Sequence, residues 1–455
     1  MKIKNFLKEI EKILPRKNII TDRDILNSYA VDKSTIFTST PPLVLKPEKK
    51  EEIVEIVKIC NKYKISITPW GKGTSVTGAV LSFDKDNIIL SLEKLNRITI
   101  DEENLVAIVE PGVITNDLKK EAERYNLYYP PDPASFESST IGGNVSTNAG
   151  GAVSCKYGVT RDYVIGLEVV LGDGKIEFFG SKCVKNSSGY SLKDIFIGAE
   201  GTLGIITLII LKLIPKPKAK LSMYVTFKNL FSLFNAVKEI FKNSILPASF
   251  EYIDDTALKY LNKKFSLPDN FASASCIIQI DENEIEELNK EMLKIYEILS
   301  KIDGFINFYP LTNAQKERQI WNARRQIGEV FRENFKKILK ADIVVPRGKV
   351  KNVIREIKIL AEEFNVEVSC FGHAGDGNIH VNFLLDKNLE NEKDVLKNLF
   401  KIVKKYEGMP SGEHGIGVAK KEILRDFVGA NQIEIMKKLK RIFDPNGIFN
   451  PKKIF

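Results

Sequence analysis

Apolar positions follow two rhythms along this chain. In the first half, short β-branched runs alternate with glycine-rich turns, whereas the second half carries longer amphipathic stretches between strand-like runs. The change falls at Ile214-Pro215-Lys216-Pro217-Lys218, where two prolines interrupt any regular element, so the main boundary is expected there. Before it, residues 51–63 read as a helix, 65–68 and 87–92 as strands, and 164–179 as a hairpin turning at Asp173-Gly174. After it, the pattern gives strands over 221–227 and 272–280 and helices over 230–241, 283–299 and 315–335, then a last group of strands and helices. An antiparallel sheet backed by helices buries such a set of faces, and the layout is α+β. No internal repeat or low-complexity tract interrupts it.

Composition narrows the class. A chain of 455 residues exceeds what one hydrophobic core usually supports, so two domains are expected. With 43% hydrophobic and 28% charged residues it folds rather than staying disordered. Residues 1–10 alternate charge and apolar side chains at helical spacing, unlike a signal peptide. The longest apolar stretch, 204–214, is interrupted by Thr207 and Lys212 and is too short to span a bilayer as a helix, so no transmembrane segment is expected. Cys60, Cys155, Cys183, Cys276 and Cys370 lack CxxC or CxxxC spacing, which excludes an encoded iron-sulfur cluster or cysteine zinc site and fits a reducing cytoplasm. The net charge of +9 is mostly lysine spread along helical segments such as 349–358 and 437–440, which reads as solvated surface rather than a nucleic-acid or membrane face. A basic docking face for an acidic partner is compatible with it.

Three segments hold more Gly, Ser, Thr and Asn than turns alone require: 69–75 (PWGKGTS), 141–151 (IGGNVSTNAGG) and 198–204 (GAEGTLG). Glycines let backbone N–H groups approach a pyrophosphate, and hydroxyls add donors, so together they suggest a large anionic ligand. A GxGxxG turn after a strand is absent, so a nicotinamide-dinucleotide site is not supported. From Tyr29-Ala30-Val31-Asp32 through Pro47 to the run ending at Thr207, the set resembles the FAD-binding domain of the vanillyl-alcohol-oxidase flavoprotein superfamily. The resemblance implies that Gly71, Gly73, Thr74 and Ser75 hold the pyrophosphate. Pro131, Asp132, Ala134, Ser135, Gly142, Asn144, Asn148 and Gly150 would line the flavin channel, and Glu200, Gly201 and Ile205 would meet the adenosine end. Pro69, Lys72, Gly78, Thr147, Gly151, Tyr157, Gly204 and Asn450 complete the cofactor set it implies. Some relatives tether FAD through a histidine, but the first half contains none, so FAD is expected to bind without a histidyl bond. Cys155 reads as a small side chain beside a loop rather than a thioether.

All three histidines lie in two short glycine-rich motifs, Gly372-His373-Ala374-Gly375-Asp376-Gly377-Asn378-Ile379-His380 and Ser411-Gly412-Glu413-His414-Gly415. Residues 366–371 and 379–385 read as strands, and a two-residue turn at Asp376-Gly377 would pair His373 directly with His380. Opposed residues lie about 4.5 to 5.5 Å apart at Cβ, near enough to share a metal. Glu413 as third ligand would make a His2Glu set with open positions, as in catalytic sites, and Asn382 would share the face of His380. With Trp321-Asn322-Ala323-Arg324, Lys340-Ala341-Asp342 and the ending at 443–451, this half resembles the C-terminal domain of FAD-linked oxidases, in the glycolate oxidase catalytic subunit, D-lactate dehydrogenase and D-2-hydroxyglutarate dehydrogenase group. The resemblance implies His373, His380 and Glu413 as ligands of a divalent metal (zinc, iron or manganese), His414 as general base, Arg324 and Lys340 as the substrate carboxylate clamp, and Asn382 as a nearby contact.

The expectation is then an FAD-binding domain over 1–215, a substrate (cap) domain with an antiparallel sheet and metal-binding hairpin over 216–400, and a segment over 401–455 returning to the FAD domain. The implied activity is FAD-dependent oxidation of a small 2-hydroxy acid, D-lactate or glycolate ahead of D-2-hydroxyglutarate or longer acids. Without a cluster of its own, the chain would pass electrons to an iron-sulfur subunit, an electron-transferring flavoprotein or a quinone. A cytoplasmic enzyme, attached to the inner membrane face only through partners, fits this reading, and self-association is compatible with it. A metal-dependent hydrolase would have no use for the glycine loops, and a flavin-binding scaffold would have none for Glu413-His414.

Overall fold

The computed structural model describes residues 2–34, 36–387, 389 and 391–455. It divides into two compact units: Met1–Ala149, Val159–Lys216 and Glu413–Phe455 form the first, Gly150–Gly158 and Pro217–Gly412 the second.

In the first unit, β1 (Ile19–Ile20), β2 (Val44–Leu45), β3 (Ser66–Trp70) and β4 (Asn87–Ser91) form a sheet in the order β1-β2-β4-β3, with β2 and β3 both parallel to β4. Every residue of β4 is buried, the continuous apolar run expected of a central parallel strand. Helix Lys50–Tyr63 supplies the cover: Ile53, Ile56, Val57 and Cys60 recur on one face and pack with Ile67, Ile88 and Leu90. The Glu52 carboxylate accepts the Glu48 and Lys49 N–H groups at its start, and Lys64 ends it in the left-handed region at φ 48°.

A second, antiparallel sheet contains β5 (Ile98–Asp101), β6 (Val106–Val109), β8 (Val164–Val170), β9 (Ile176–Gly180) and β10 (Ile205–Lys212) in the order β5-β6-β10-β8-β9, while β7 (Leu127–Tyr128) pairs with β11 (Ile214–Pro215). The β8–β9 hairpin turns at Asp173-Gly174 as the sequence indicates, with Gly174 at φ 83°. The chain's end returns to this unit: Ile67 N–H donates to Ile448, Asn450 N–H donates to Ile67, and Phe449 is fully buried in the same core.

The second unit is one seven-stranded antiparallel sheet. Its strands are β12 (Ala219–Phe227), β13 (Ser249–Asp254), β14 (Ala274–Glu282), β15 (Phe305–Pro310), β16 (Lys337–Val344), β17 (Glu367–His373) and β18 (Asn378–Leu385), in the order β15-β12-β14-β13-β17-β18-β16. Because side chains alternate across a strand, register fixes what shares a face. The pairs Tyr224↔Ile277, Ile277↔Glu251, Glu251↔His373, Phe371↔His380 and Asp342↔His380 place these residues on one face, with Ile253, Leu384, Asn382 and Lys340. The apolar part of that face packs against Leu258 and Leu261 of helix Asp255–Leu261, Ile320 and Ala323 of helix Ala314–Arg325, and Val330 and Phe331 of helix Ile327–Asn334.

Three expectations need correction. Residues 315–335 are two helices, because Gln326 leaves helical geometry at φ −87°, ψ 2°; the apolar positions stay in phase across the break, which is why they read as one. The second unit extends beyond residue 400 to Gly412, so helix Glu392–Lys405 belongs wholly to it. Gly150–Gly158 also belongs there: Lys156 Nζ and Tyr157 Oη donate to the two oxygens of Asp281 at 2.5 and 2.7 Å. In the same segment, an added Cβ at Gly375 would lie 2.4 Å from Cys155 Sγ.

Candidate active site

In the first unit, the loop after β3 carries the first glycine cluster. Gly73 sits at φ 66° with its α-carbon against the Trp70 ring, where a Cβ would lie 2.5 Å from the ring carbons, so only glycine fits. Asp32 holds the far end of the loop by accepting the Gly78 N–H at 2.7 Å, and Ser75 O accepts the Lys33 N–H at 2.9 Å, which explains the Tyr29–Asp32 motif. Among the described residues, the backbone N–H groups of Gly71, Lys72, Gly73, Thr74 and Ser75 donate to no protein acceptor. Five successive donors in a glycine-bent loop form an anion-binding concavity, which fits the pyrophosphate of FAD.

The second cluster forms helix Ile141–Thr147, capped by Thr140 Oγ1 on the Gly143 N–H. Gly142 passes so close to Pro111 that a Cβ would lie 2.6 Å from its ring. Asn144 and Asn148 are engaged within the protein: Asn144 Nδ2 donates to Thr115 at 2.8 Å, and Asn148 Oδ1 accepts the Arg161 N–H at 2.9 Å. Pro131 is buried, Ala134 is exposed, Ser135 O accepts the Ser139 N–H, and Asp132 lies 3.1 Å from Lys119. Gly150, Gly151 and Tyr157 lie in the second unit.

Glu200 turns its carboxylate inward. It adopts φ 50°, is 5% exposed, and its oxygens accept the Ile416 and Gly417 N–H groups at 2.6 and 2.8 Å. Burial pushes this carboxyl up, and the two N–H groups oppose the shift. Asn450, expected at the cofactor, spends its amide on the carbonyls of Ala79 and Glu200 at 2.9 and 2.7 Å. Gly201 packs against Pro69, and Gly204 and Ile205 are buried at the start of β10. Glu200 thereby anchors the strand of chain just after Glu413-His414: Gly415 lies against its carboxylate, and Thr77 O accepts the Val418 and Ala419 N–H groups. Glu413 Oε1 and His414 Nε2 are 3.9 Å apart.

In the second unit, the histidine hairpin has a different register from that expected. His380 opposes Phe371, not His373, because a four-residue loop, Ala374 to Gly377, replaces the two-residue turn. Gly377 N–H reaches back to His373 O at 3.3 Å, and Asp376 Oδ1 accepts the Asn378 N–H at 3.0 Å. The shift is two residues, so the histidines keep a common face and meet diagonally, with ring centroids 5.3 Å apart and planes at 83°.

Each imidazole has a carboxylate at Nδ1. His373 Nδ1 contacts Glu251 Oε1, and His380 Nδ1 lies 3.5 Å from Asp342 Oδ1. Glu251 is 2% exposed, and its other oxygen is 2.6 Å from Arg324 Nη2. Burial alone would raise the Glu251 carboxyl, but His373 and Arg324 outweigh it and hold it below the usual range. Arg324 lies over the Phe371 ring at 4.8 Å, and Asp342 also accepts Asn378 Nδ2 at 2.7 Å and the Gly412 N–H at 3.0 Å. A carboxylate behind each imidazole is the support that metal-ligating histidines usually have, so this donor set fits a divalent metal held through Nε2. Asn382 is buried on the same face, and Lys340 is exposed beside it. Glu251 and Asp342 were not singled out from the sequence; the only signals were an acid between Phe250 and Tyr252 in the strand SFEYID and the match at Lys340-Ala341-Asp342.

Comparison with known proteins agrees with both halves. Residues 41–180 match the FAD binding domain family, and residues 216–454 match the FAD linked oxidases, C-terminal domain family. The chain is 36% identical to the glycolate oxidase subunit GlcD of Bacillus subtilis, over 94% of this chain and 92% of that protein. It is 35% identical to a D-lactate dehydrogenase of Anaerostipes hadrus (98% and 96% covered), and 33% identical to a D-2-hydroxyglutarate dehydrogenase of Stutzerimonas stutzeri (98% and 98%). Two solved structures share the fold: alkyldihydroxyacetonephosphate synthase, with a TM-score of 0.78 at 20% identity over 99% of this chain and 86% of that one, and p-cresol methylhydroxylase, with 0.78 at 18% over 100% and 96%. No helix among the described residues is long and apolar enough to cross a membrane. The chain belongs to the FAD-linked oxidase family, as an α+β oxidoreductase built from an FAD-binding domain and an FAD-linked oxidase C-terminal domain.

Proposed function

We propose that this protein is an FAD-dependent dehydrogenase that oxidises a small 2-hydroxy acid, D-lactate or glycolate foremost, to the 2-oxo acid. The observation that carries this reading is the sheet face on which His373 and His380 stand diagonally with a carboxylate at each Nδ1 and Arg324 at its edge. The relatives named for glycolate, D-lactate and D-2-hydroxyglutarate support the substrate class. When bound, FAD supplies a hydride acceptor and the divalent metal a Lewis acid for the substrate hydroxyl.

The chain's own residues do the rest. His373, His380 and Glu413 would hold the metal, and Arg324 and Lys340 would receive the substrate carboxylate, for which a planar guanidinium fork is suited. Asn382 adds a polar contact beside them. His414 accepts the hydroxyl proton while the Cα hydrogen leaves with its electron pair, so substrate loses one proton and one hydride and becomes the 2-oxo acid. The two electrons taken from substrate would go on to a partner protein or a quinone.

The test is product formation. Purified protein with an artificial electron acceptor is offered D-lactate, L-lactate, glycolate and D-2-hydroxyglutarate in turn. Appearance of the matching 2-oxo acid from one of them is expected. No product from any, with FAD and metal both bound, would contradict the proposal.

A further inference from the structure

Glu251 lies at the centre of the second unit's polar face and has no part in the reaction as proposed. It stands on β13 directly across from His373 on β17, and the Ala374 N–H to Phe250 O bond at 2.7 Å continues the pairing beside it. Its two oxygens are divided, Oε1 on His373 Nδ1 and Oε2 on Arg324 Nη2. All three side chains are buried, with Glu251 at 2%, Arg324 at 8% and His373 at 8% exposed. A carboxylate can only accept, a guanidinium can only donate, and a neutral imidazole does one at each nitrogen.

We infer that Glu251 is a positioning residue: it fixes His373 as the Nδ1–H tautomer, leaving Nε2 to ligate a divalent metal, and with its second oxygen sets the place of Arg324. The inference rests on the metal reading above for its consequence, but the tautomer itself does not need a metal. Arg324, as a permanent cation in an ion pair with Oε2, holds that oxygen against it, and Glu251 Oε1 requires the proton on His373 Nδ1. One buried carboxylate therefore couples the proposed metal ligand to the proposed substrate-carboxylate residue.

The logic makes an asymmetric prediction for Glu251→Gln. A carboxamide has one acceptor and one donor end, and Arg324 can only be met by the acceptor. The amide NH2 must then face His373 Nδ1, so at a pH where the ring is neutral Nδ1 becomes an acceptor and the imidazole proton moves to Nε2. That tautomer cannot ligate through Nε2. Adding Arg324→Met removes the constraint, lets the Gln oxygen return to His373, and restores the Nδ1–H form. A merely structural ion pair would predict no such reversal and no such rescue.

With only three histidines in the chain, ring nitrogens can be read by NMR of protein labelled with nitrogen-15 histidine, the metal removed and FAD retained. His373→Gln assigns the signal. Expected are Nδ1–H at His373 in the wild type, Nε2–H in Glu251→Gln, and Nδ1–H again in the double variant. Zinc(II) affinity, read by chelator competition, should fall about ten- to hundredfold in Glu251→Gln and recover in part in the double variant. A wild-type Nε2–H at His373, or a Glu251→Gln protein with unchanged tautomer and zinc affinity, would overturn the inference. If Glu251→Gln does not fold, the wild-type tautomer alone still decides. Wild-type protein with Nδ1–H at His373 that binds none of zinc, manganese or iron would support Glu251's hold on His373 and contradict the metal reading.

Discussion

At the scale of single residues, the reaction divides between groups that hold and one that moves a proton. His414→Ala should keep FAD and metal while slowing flavin reduction about 10²- to 10⁴-fold, the usual contribution of a positioned base. Rapid-mixing absorbance under anaerobic conditions measures this, and unchanged reduction would remove His414 from the role. His373→Ala should instead lose metal first, as read by metal analysis of the purified protein. The histidines were legible in the sequence because a rare residue type was confined to two glycine-rich motifs. Glu251 and Asp342 were not, since an acid flanked by apolar residues in a strand gains meaning only when β13 is set against β17 and β16 against β18. Glu200 and Asn450 were legible as motif members, but that each side chain bonds backbone groups of its own unit was not: Glu200 accepts two backbone N–H groups and Asn450 donates to two carbonyls.

At the scale of elements, glycines decide whether two loops can exist. Gly73→Ala must place a Cβ in the left-handed region, which costs about 1 to 2 kcal/mol, and against the Trp70 ring as well. Retained FAD after purification, read by the flavin-to-protein absorbance ratio, should drop, and full retention would contradict the cradle assigned to 71–75. Gly377→Ala in the hairpin loop meets a backbone atom, Val345 O, at 2.1 Å, whereas Gly189, at a similar φ of 94°, has open space around it. Thermal unfolding should therefore fall well below wild type for Gly377→Ala and only slightly for Gly189→Ala; equal shifts would rule out the overlap. Strands and helices themselves followed from alternation and helical spacing. The hairpin register did not, because Asp376-Gly377 is a strong two-residue turn signal, while the hydrogen bonds that hold the longer loop, Gly377 N–H to His373 O and Asn378 N–H to Asp376 Oδ1 among them, exist only in three dimensions. The even shift keeps both histidines on one face despite the different register.

At the scale of the whole molecule, the chain passes between its two units four times, and only the crossing after Lys216 carries a strong sequence signal, the paired prolines. The returns at 149, 158 and 412 fall within glycine-containing loops that look like ordinary turns. The terminal segment adds a pH dependence to the first unit. Lys453 is 2% exposed, donates to Leu81 O at 2.8 Å, and burial pushes its ammonium down to about 8. Its folded value lies below the unfolded one, so between about pH 8 and 10.5 the unfolded state binds more protons and stability rises with pH. Below pH 8 the cost is fully present. The effect is at most about 3 kcal/mol, and Lys453→Met should remove it, so the wild-type minus variant stability, from denaturant unfolding, should climb over that window. A flat difference would contradict the assignment.

The most direct test of the central claim is anaerobic absorbance of the purified protein as D-lactate, L-lactate, glycolate and D-2-hydroxyglutarate are added in turn, with metal content determined on the same sample. Bleaching of the flavin band near roughly 450 nm by one of these acids, in protein that holds a stoichiometric divalent metal, is the expected result. A flavin that stays oxidised with all four, in protein loaded with FAD and metal, would contradict it.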